Sequence, residues 1–60
     1  MITTFPNGRF VESWYDRSSR SWITERKDTH GYPIGEAEYN GTRAGMRLSH
    51  AGAVAAEEAA

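Results

Sequence analysis

Few residues of this 60-residue chain have the types and spacing that catalysis or metal binding requires. His30 and His50 fall in a turn and in a predicted helix, and neither has a second ligand at the spacing that places two ligands on one face. We therefore predict that both histidines are solvated at the surface. The serines lack the sequence context of a nucleophile, and a solvated strand face explains the carboxylates Glu36 and Glu38. We expect a protein that is not an enzyme, with no catalytic residue and no metal.

Loops that cradle phosphate groups are also missing from the sequence. Gly31, Gly35 and Gly41 form neither a Gly-x-Gly-x-x-Gly pattern nor a Walker-type spacing. We therefore expect no nucleotide and no other cofactor.

The strongest indication of function is a group of arginine and tryptophan residues around a predicted hairpin turn at residues 17–20. Residues 16–27 carry four basic and two acidic side chains. Arginine and tryptophan often dominate the binding energy of interfaces, and a two-stranded ribbon fits a DNA major groove. We predict that six residues bind the partner: Trp14, Arg17, Arg20, Trp22, Arg26 and Lys27. The alternative is a solvated hairpin with cross-strand ion pairs, whose tryptophans belong to the core.

Length and composition limit the kind of protein that can carry these residues. Sixty residues with a net charge of −1 predict one small domain, whose marginal stability favours a role that involves a partner. The absence of cysteine excludes disulfides and thiolate zinc sites. The sequence shows no signal peptide and no stretch approaching the ~20 apolar residues of a membrane span. We expect a cytoplasmic protein that makes no membrane contact.

The pattern of residues predicts an α+β fold, in which a three-stranded antiparallel meander precedes one C-terminal helix. The strands are expected at about 9–16, 21–27 and 32–39, and the helix at about 43–56, with Thr42 as its N-cap. Residues 1–8 are expected to form an arm and a turn, and residues 57–60 a frayed tail. An alternative makes Asn40-Gly41 a hairpin turn that leads into a fourth strand at 42–49.

Alternation along the strands assigns residues to two faces of the sheet. One face receives Val11, Ser13, Tyr15, Gly35, Ala37 and Tyr39, and the other Phe10, Trp14, Trp22, Ile34, Glu36 and Glu38. Both sets contain large aromatic residues, so the face that the helix leaves open should present an aromatic patch typical of a binding surface. The pattern leaves open which face the helix covers.

Residues 14–54 resemble the small sheet-plus-helix domains of phages and mobile elements. Four segments carry the resemblance: Trp22-Ile23-Thr24, Lys27-Asp28-Thr29-His30-Gly31, Ile34-Gly35 and Thr42-Arg43-Ala44. The families concerned are the AP2 domain and the arm-type DNA-binding domains of tyrosine recombinases. The resemblance implies that the open sheet face enters the DNA major groove. The basic residues that would fill that role are Arg9, Arg20, Arg26 and Lys27.

The charge distribution departs from that family pattern. Residues 1–30 sum to +1 and residues 31–60 to −2, so counterion release on DNA would be small. Such a balance favours docking onto a protein or nucleoprotein surface of mixed charge.

In size and style the chain also resembles phage-encoded inhibitors of host machinery, such as anti-CRISPR proteins. That resemblance implies an inhibitor in the host cytoplasm that sterically occupies a protein or nucleoprotein complex of the host. Two alternatives stay open. One is a small DNA-binding or transcription-accessory domain whose partner is duplex DNA, and the other is a virion or assembly component.

Overall fold

The computed structural model describes all 60 residues. It contains four antiparallel strands and one helix. The strands are β1 (Ile2–Thr4), β2 (Phe10–Asp16), β3 (Ser21–Lys27) and β4 (Glu38–Asn40), and the helix is α1 (Arg43–Ala59). The strands lie in the sheet in chain order, so each strand pairs with the one before it. The predicted α+β class, with an antiparallel sheet and a C-terminal helix, is confirmed.

The sheet has four strands instead of the three predicted, because the N-terminal residues pair with β2 instead of forming an arm. Thr3 lies opposite Val11 in this ladder. A tight turn joins the two strands, with the Gly8 amide donating to the Phe5 carbonyl at 2.9 Å. Gly8 has a φ of 89°, a conformation that glycine adopts without strain. The three residues of β1 gave too short a pattern to be recognised in the sequence.

The last strand is much shorter than the predicted 32–39. Pro33 makes only an isolated bridge to Lys27, and regular pairing with β3 begins at Glu38. Proline has no amide hydrogen to donate to a ladder, and Gly35 has a φ of 73°, which is outside the strand region. The segment from Pro33 to β4 therefore lies at the sheet edge without continuous pairing.

Strand register overturns part of the predicted face assignment. Tyr15 lies opposite Trp22 across the β2–β3 hairpin, so Trp22 shares a face with Tyr15 and not with Trp14. Ile23 lies opposite both Trp14 and Tyr39, so Tyr39 shares the face of Trp14. Alternation within one strand cannot show these relations, because the register across each turn sets which residues of neighbouring strands lie together.

Helix α1 begins where the sequence predicts and ends later. The Thr42 hydroxyl accepts a hydrogen bond from the Gly45 amide at 3.0 Å, the geometry of an N-cap. Residues 42–49 therefore do not form a fourth strand. The helix continues to Ala59, past the predicted end near 56, because Glu57 in its last turn is buried in ion pairs.

The helix covers the sheet face that carries Val11, Ser13 and Thr24. Its buried residues lie along one stripe: Met46, His50, Ala53 and Glu57. The core is thin, since four apolar residues are buried, namely Val11, Ile23, Met46 and Ala53. The structure contains no helix with the length and apolar character needed to span a membrane.

Candidate binding surfaces

A layer of hydroxyl and imidazole groups lies between helix and sheet. The Ser13 Oγ is 2.7 Å from His50 Nδ1 and 2.8 Å from the Thr24 Oγ1, and the Thr3 Oγ1 is 2.9 Å from His50 Nε2. A hydroxyl can donate or accept, so either neutral tautomer of the imidazole finds a partner at each nitrogen. The layer thus connects β1, β2 and β3 to the helix.

The prediction of a solvated His50 is wrong, because its side chain is only 4% exposed. Burial, with the positive N-terminus as a smaller cause, lowers the pKa of this imidazole below its usual value of 6.5. A sequence signal existed, since residue 50 falls four positions after Met46 and three before Ala53, on the apolar stripe of the helix.

The contact between Ser13 and His50 has the distance of a nucleophile and its base. Ser13 is 2% exposed, however, and its hydroxyl also bonds to Thr24 inside the protein. The single cavity, an open groove of about 470 Å³, lies elsewhere, between residues 5–7 and the end of the helix. The Ser13 hydroxyl is therefore enclosed between helix and sheet, and the layer connects the two through polar groups.

Two of the predicted nucleic-acid contacts, Arg9 and Arg26, lie against a buried carboxylate. The Arg26 Nη2 donates to the Glu57 Oε2 at 2.8 Å. The Arg9 Nε lies 2.8 Å from the Glu57 Oε1, within ion-pair distance but not aligned for a hydrogen bond. The two guanidinium groups thereby share the single negative charge of Glu57 at the C-terminal end of the helix.

Lys27 is compensated in a similar way on the opposite face of the sheet. Its ammonium lies 2.7 Å from the Glu12 Oε1 and 5.1 Å from the centroid of the Trp14 ring. An ammonium at this distance from the face of an indole is attracted by the ring quadrupole. Of the four basic residues that the family resemblance involves, only Arg20 is free of an ion pair.

The six residues predicted to bind a partner are divided between three regions. Trp14 and Lys27 lie on the sheet face away from the helix, whereas Trp22 and Arg26 lie on the helix side. The other two, Arg17 and Arg20, belong to the hairpin turn between β2 and β3. A single flat surface therefore cannot contain all six.

The sheet face away from the helix, here termed the outer face, is left uncovered by α1. It carries the aromatic side chains Phe10, Trp14 and Tyr39, with Ile23 between the last two in the register. Tyr39 is 64% exposed, Phe10 and Trp14 are half-buried, and Ile23, the register partner of Tyr39, is buried. An aromatic surface of this kind on a small protein is typical of a protein interface.

Acidic side chains lie on the same face as these rings. Glu12 and Glu25 are directly opposite each other in the β2–β3 ladder, an arrangement that disfavours folding because like charges meet. Lys27 compensates Glu12, and Glu25 has no ion pair. By alternation Asp16 shares this face at its end, so the outer face carries three carboxylates and one ammonium.

No protein-family model, curated protein or solved structure matches this chain.

Proposed function

We propose that this protein is a non-enzymatic binding protein that acts by occupying a surface of a protein or nucleoprotein target. One observation carries the proposal: the outer face is uncovered by the helix and combines Trp14 and Tyr39 with an unpaired Glu25. Occupation of a target surface is also the action that the resemblance to phage-encoded inhibitors of host machinery implies.

The charge of the outer face favours a basic protein surface as the target. Three carboxylates outnumber the one ammonium, and complementary charges speed association and exclude wrong partners. Aromatic rings on this face already attract a cation within the protein, since the Lys27 ammonium lies over Trp14. Arginine and lysine side chains of a partner can use the exposed Tyr39 ring in the same way. Proteins that bind nucleic acid present such basic surfaces.

The outer face is a poor surface for duplex DNA. A negative sheet face repels phosphates, and its one lysine is paired with Glu12. The DNA-binding alternative therefore receives no support from this face.

The experiment is affinity capture from a host extract with matched variants, quantified by mass spectrometry. Tyr39→Arg places a positive charge on the outer face, and Leu48→Arg does the same on the exposed side of the helix. We expect proteins that are retained by the wild type and by Leu48→Arg but lost with Tyr39→Arg. Circular dichroism confirms that both variants fold.

Identical sets of proteins from all three baits would refute the role of the outer face. Sedimentation of the purified protein addresses the assembly alternative. Self-association that Tyr39→Arg abolishes would show that the outer face binds a second copy of the chain and would overturn the proposal.

A further inference from the structure

We infer that one end of the molecule is a second binding site, which takes single-stranded nucleic acid. This end, here termed the arginine end, consists of the hairpin turn with Arg17 and Arg20, the start of the helix with Arg43 and Arg47, and the Tyr15–Trp22 ring pair. It is distinct from the outer face, and it does not depend on the function proposed above.

Topology brings the hairpin turn and the start of the helix together. Asn40, at the end of β4, lies opposite Trp22 in the ladder. Trp22 follows Arg20 by two residues, so Asn40 lies close to the hairpin turn. The helix begins three residues later at Arg43, so at most about 11 Å of extended chain separates Arg43 from Asn40. At the opposite end of the helix, Glu57 forms ion pairs with Arg9 and Arg26.

The charges of the protein are separated along this direction. Arg17, Arg20, Arg43 and Arg47 are the four basic residues without an ion pair, and all four are exposed. One carboxylate, Asp16, lies beside the turn, and its Oδ2 accepts a hydrogen bond of 2.7 Å from the Ser19 hydroxyl. The first turn of the helix has no acidic residue, so its positive dipole end is also uncompensated. The rest of the molecule has seven carboxylates against three cations.

Arg20 has a backbone conformation that is unfavourable for arginine. Its φ of 54° lies in the left-handed region, which asparagine and glycine adopt more readily than a long side chain. A left-handed residue is common at the end of a hairpin loop, and such residues also cluster at functional sites. The contacts of Arg20 within the protein do not explain the choice, because its guanidinium has no hydrogen-bond or ion-pair partner.

The aromatic pair between the arginines favours single strands over duplex DNA and over acidic peptides. The Tyr15 and Trp22 ring centroids are 5.3 Å apart with an interplanar angle of 63°, and Tyr15 is 46% exposed. In a duplex the faces of the bases are stacked on neighbouring bases, whereas an unpaired base can stack on an aromatic side chain. Guanidinium groups meanwhile bind phosphates through two parallel hydrogen bonds. Arginine around an aromatic platform is the composition of a single-strand site.

The test is fluorescence anisotropy of a labelled strand of about 20 thymidines titrated with the protein. Four phosphate contacts give a slope of log K against log salt near −2.8, so affinity should fall about 50-fold between 50 and 200 mM salt. Removing two contacts with Arg43→Gln and Arg47→Gln should reduce this to about 7-fold. Arg9→Gln is the control, since it removes a positive charge at the opposite end and should leave the slope unchanged.

Two further variants separate binding from folding. Arg20→Asn suits the left-handed backbone, so it should keep or raise the melting temperature while it weakens binding and flattens the salt dependence. Tyr15→Leu keeps apolar bulk and removes the ring, and it should weaken binding about five-fold or more. The outer-face variant Tyr39→Arg should not weaken binding, which keeps this test independent of the proposed function.

Three results would overturn the inference. The first is the absence of binding at 50 mM salt. The second is an equal loss with Arg9→Gln and with the double helix variant, which would show attraction without a site. The third is stronger binding of a duplex of the same length, or displacement of the strand by polyglutamate at lower concentration, which would assign the arginine end to duplex DNA or to an acidic protein segment.

Discussion

Glu57 connects the last turn of the helix to the sheet through two arginines, and Glu57→Gln tests how much this connection stabilises the fold. The carboxylate is 5% exposed and lies 2.8 Å from a nitrogen of each of two arginines. Glutamine has almost the same shape but no charge, so it can still accept from Arg26 while its amide faces Arg9. The substitution therefore leaves two guanidinium groups without their counter-ion and little else changed.

The expected loss is about 2 kcal/mol in the free energy of unfolding. Removing one partner of a fully buried ion pair costs about 3–5 kcal/mol, and this figure is reduced here because both arginines are about one third exposed and stay partly hydrated. A domain of this size has a stability of about 3–9 kcal/mol. The loss should lower the melting temperature by about 8–16 °C.

The assay is urea unfolding followed by tryptophan fluorescence, with thermal unfolding by circular dichroism as a second probe. Glu58→Gln is the matched control, because Glu58 is the exposed neighbour without an ion pair and should change stability by less than about 0.5 kcal/mol. A double-mutant cycle with Arg26→Gln should give a coupling of about 1 kcal/mol. Equal stability of Glu57→Gln and Glu58→Gln would refute the assignment of Glu57 as the anchor of the last turn.

Three further predictions concern stability. Gly52→Ala should stabilise the protein by about 0.5–1 kcal/mol, since a Cβ there meets no atom within 4 Å. Gly45→Ala should not give this stabilisation, because its Cβ would lie 2.8 Å from the Asn40 Oδ1 at the end of β4. Stability should decrease as the pH falls below about 6.5, because burial lowers the pKa of His50 and protons bind the unfolded chain more tightly. Glu25→Lys should stabilise by about 0.2–1 kcal/mol, since it replaces a like-charge cross-strand pair with an ion pair.

Urea midpoints measure all three effects. For the glycines, equal urea midpoints of Gly52→Ala and Gly45→Ala would contradict the predicted clash between a Cβ at residue 45 and the Asn40 side chain. For the histidine, His50→Gln should flatten the decrease between about pH 7.5 and pH 5.5, and an unchanged decrease in that variant would contradict its assignment to His50. For Glu25→Lys, a midpoint below that of Glu25→Gln would contradict the charge argument.

Local chemistry in the sequence was sufficient to locate the main elements. The strands at 10–16 and 21–27, the turn at 17–20 and the start of the helix after Thr42 agree with the prediction within one residue. Each depends on groups close in the chain: β-branched and aromatic runs, polar turn residues, and a hydroxyl three residues before the amide that it caps. Length and composition likewise indicated one small domain.

Tertiary structure decided which of these residues lie together. Register across the turns put Trp22 beside Tyr15 and Tyr39 beside Ile23, and the packing of the helix chose which face to cover. The same packing buried His50, and it paired Glu57 with arginines 31 and 48 residues earlier in the chain. Charge patterns read along the chain could not separate the compensated basic residues from the four free arginines. Ion pairing is a property of distance in space, and a sequence orders residues only by distance along the chain.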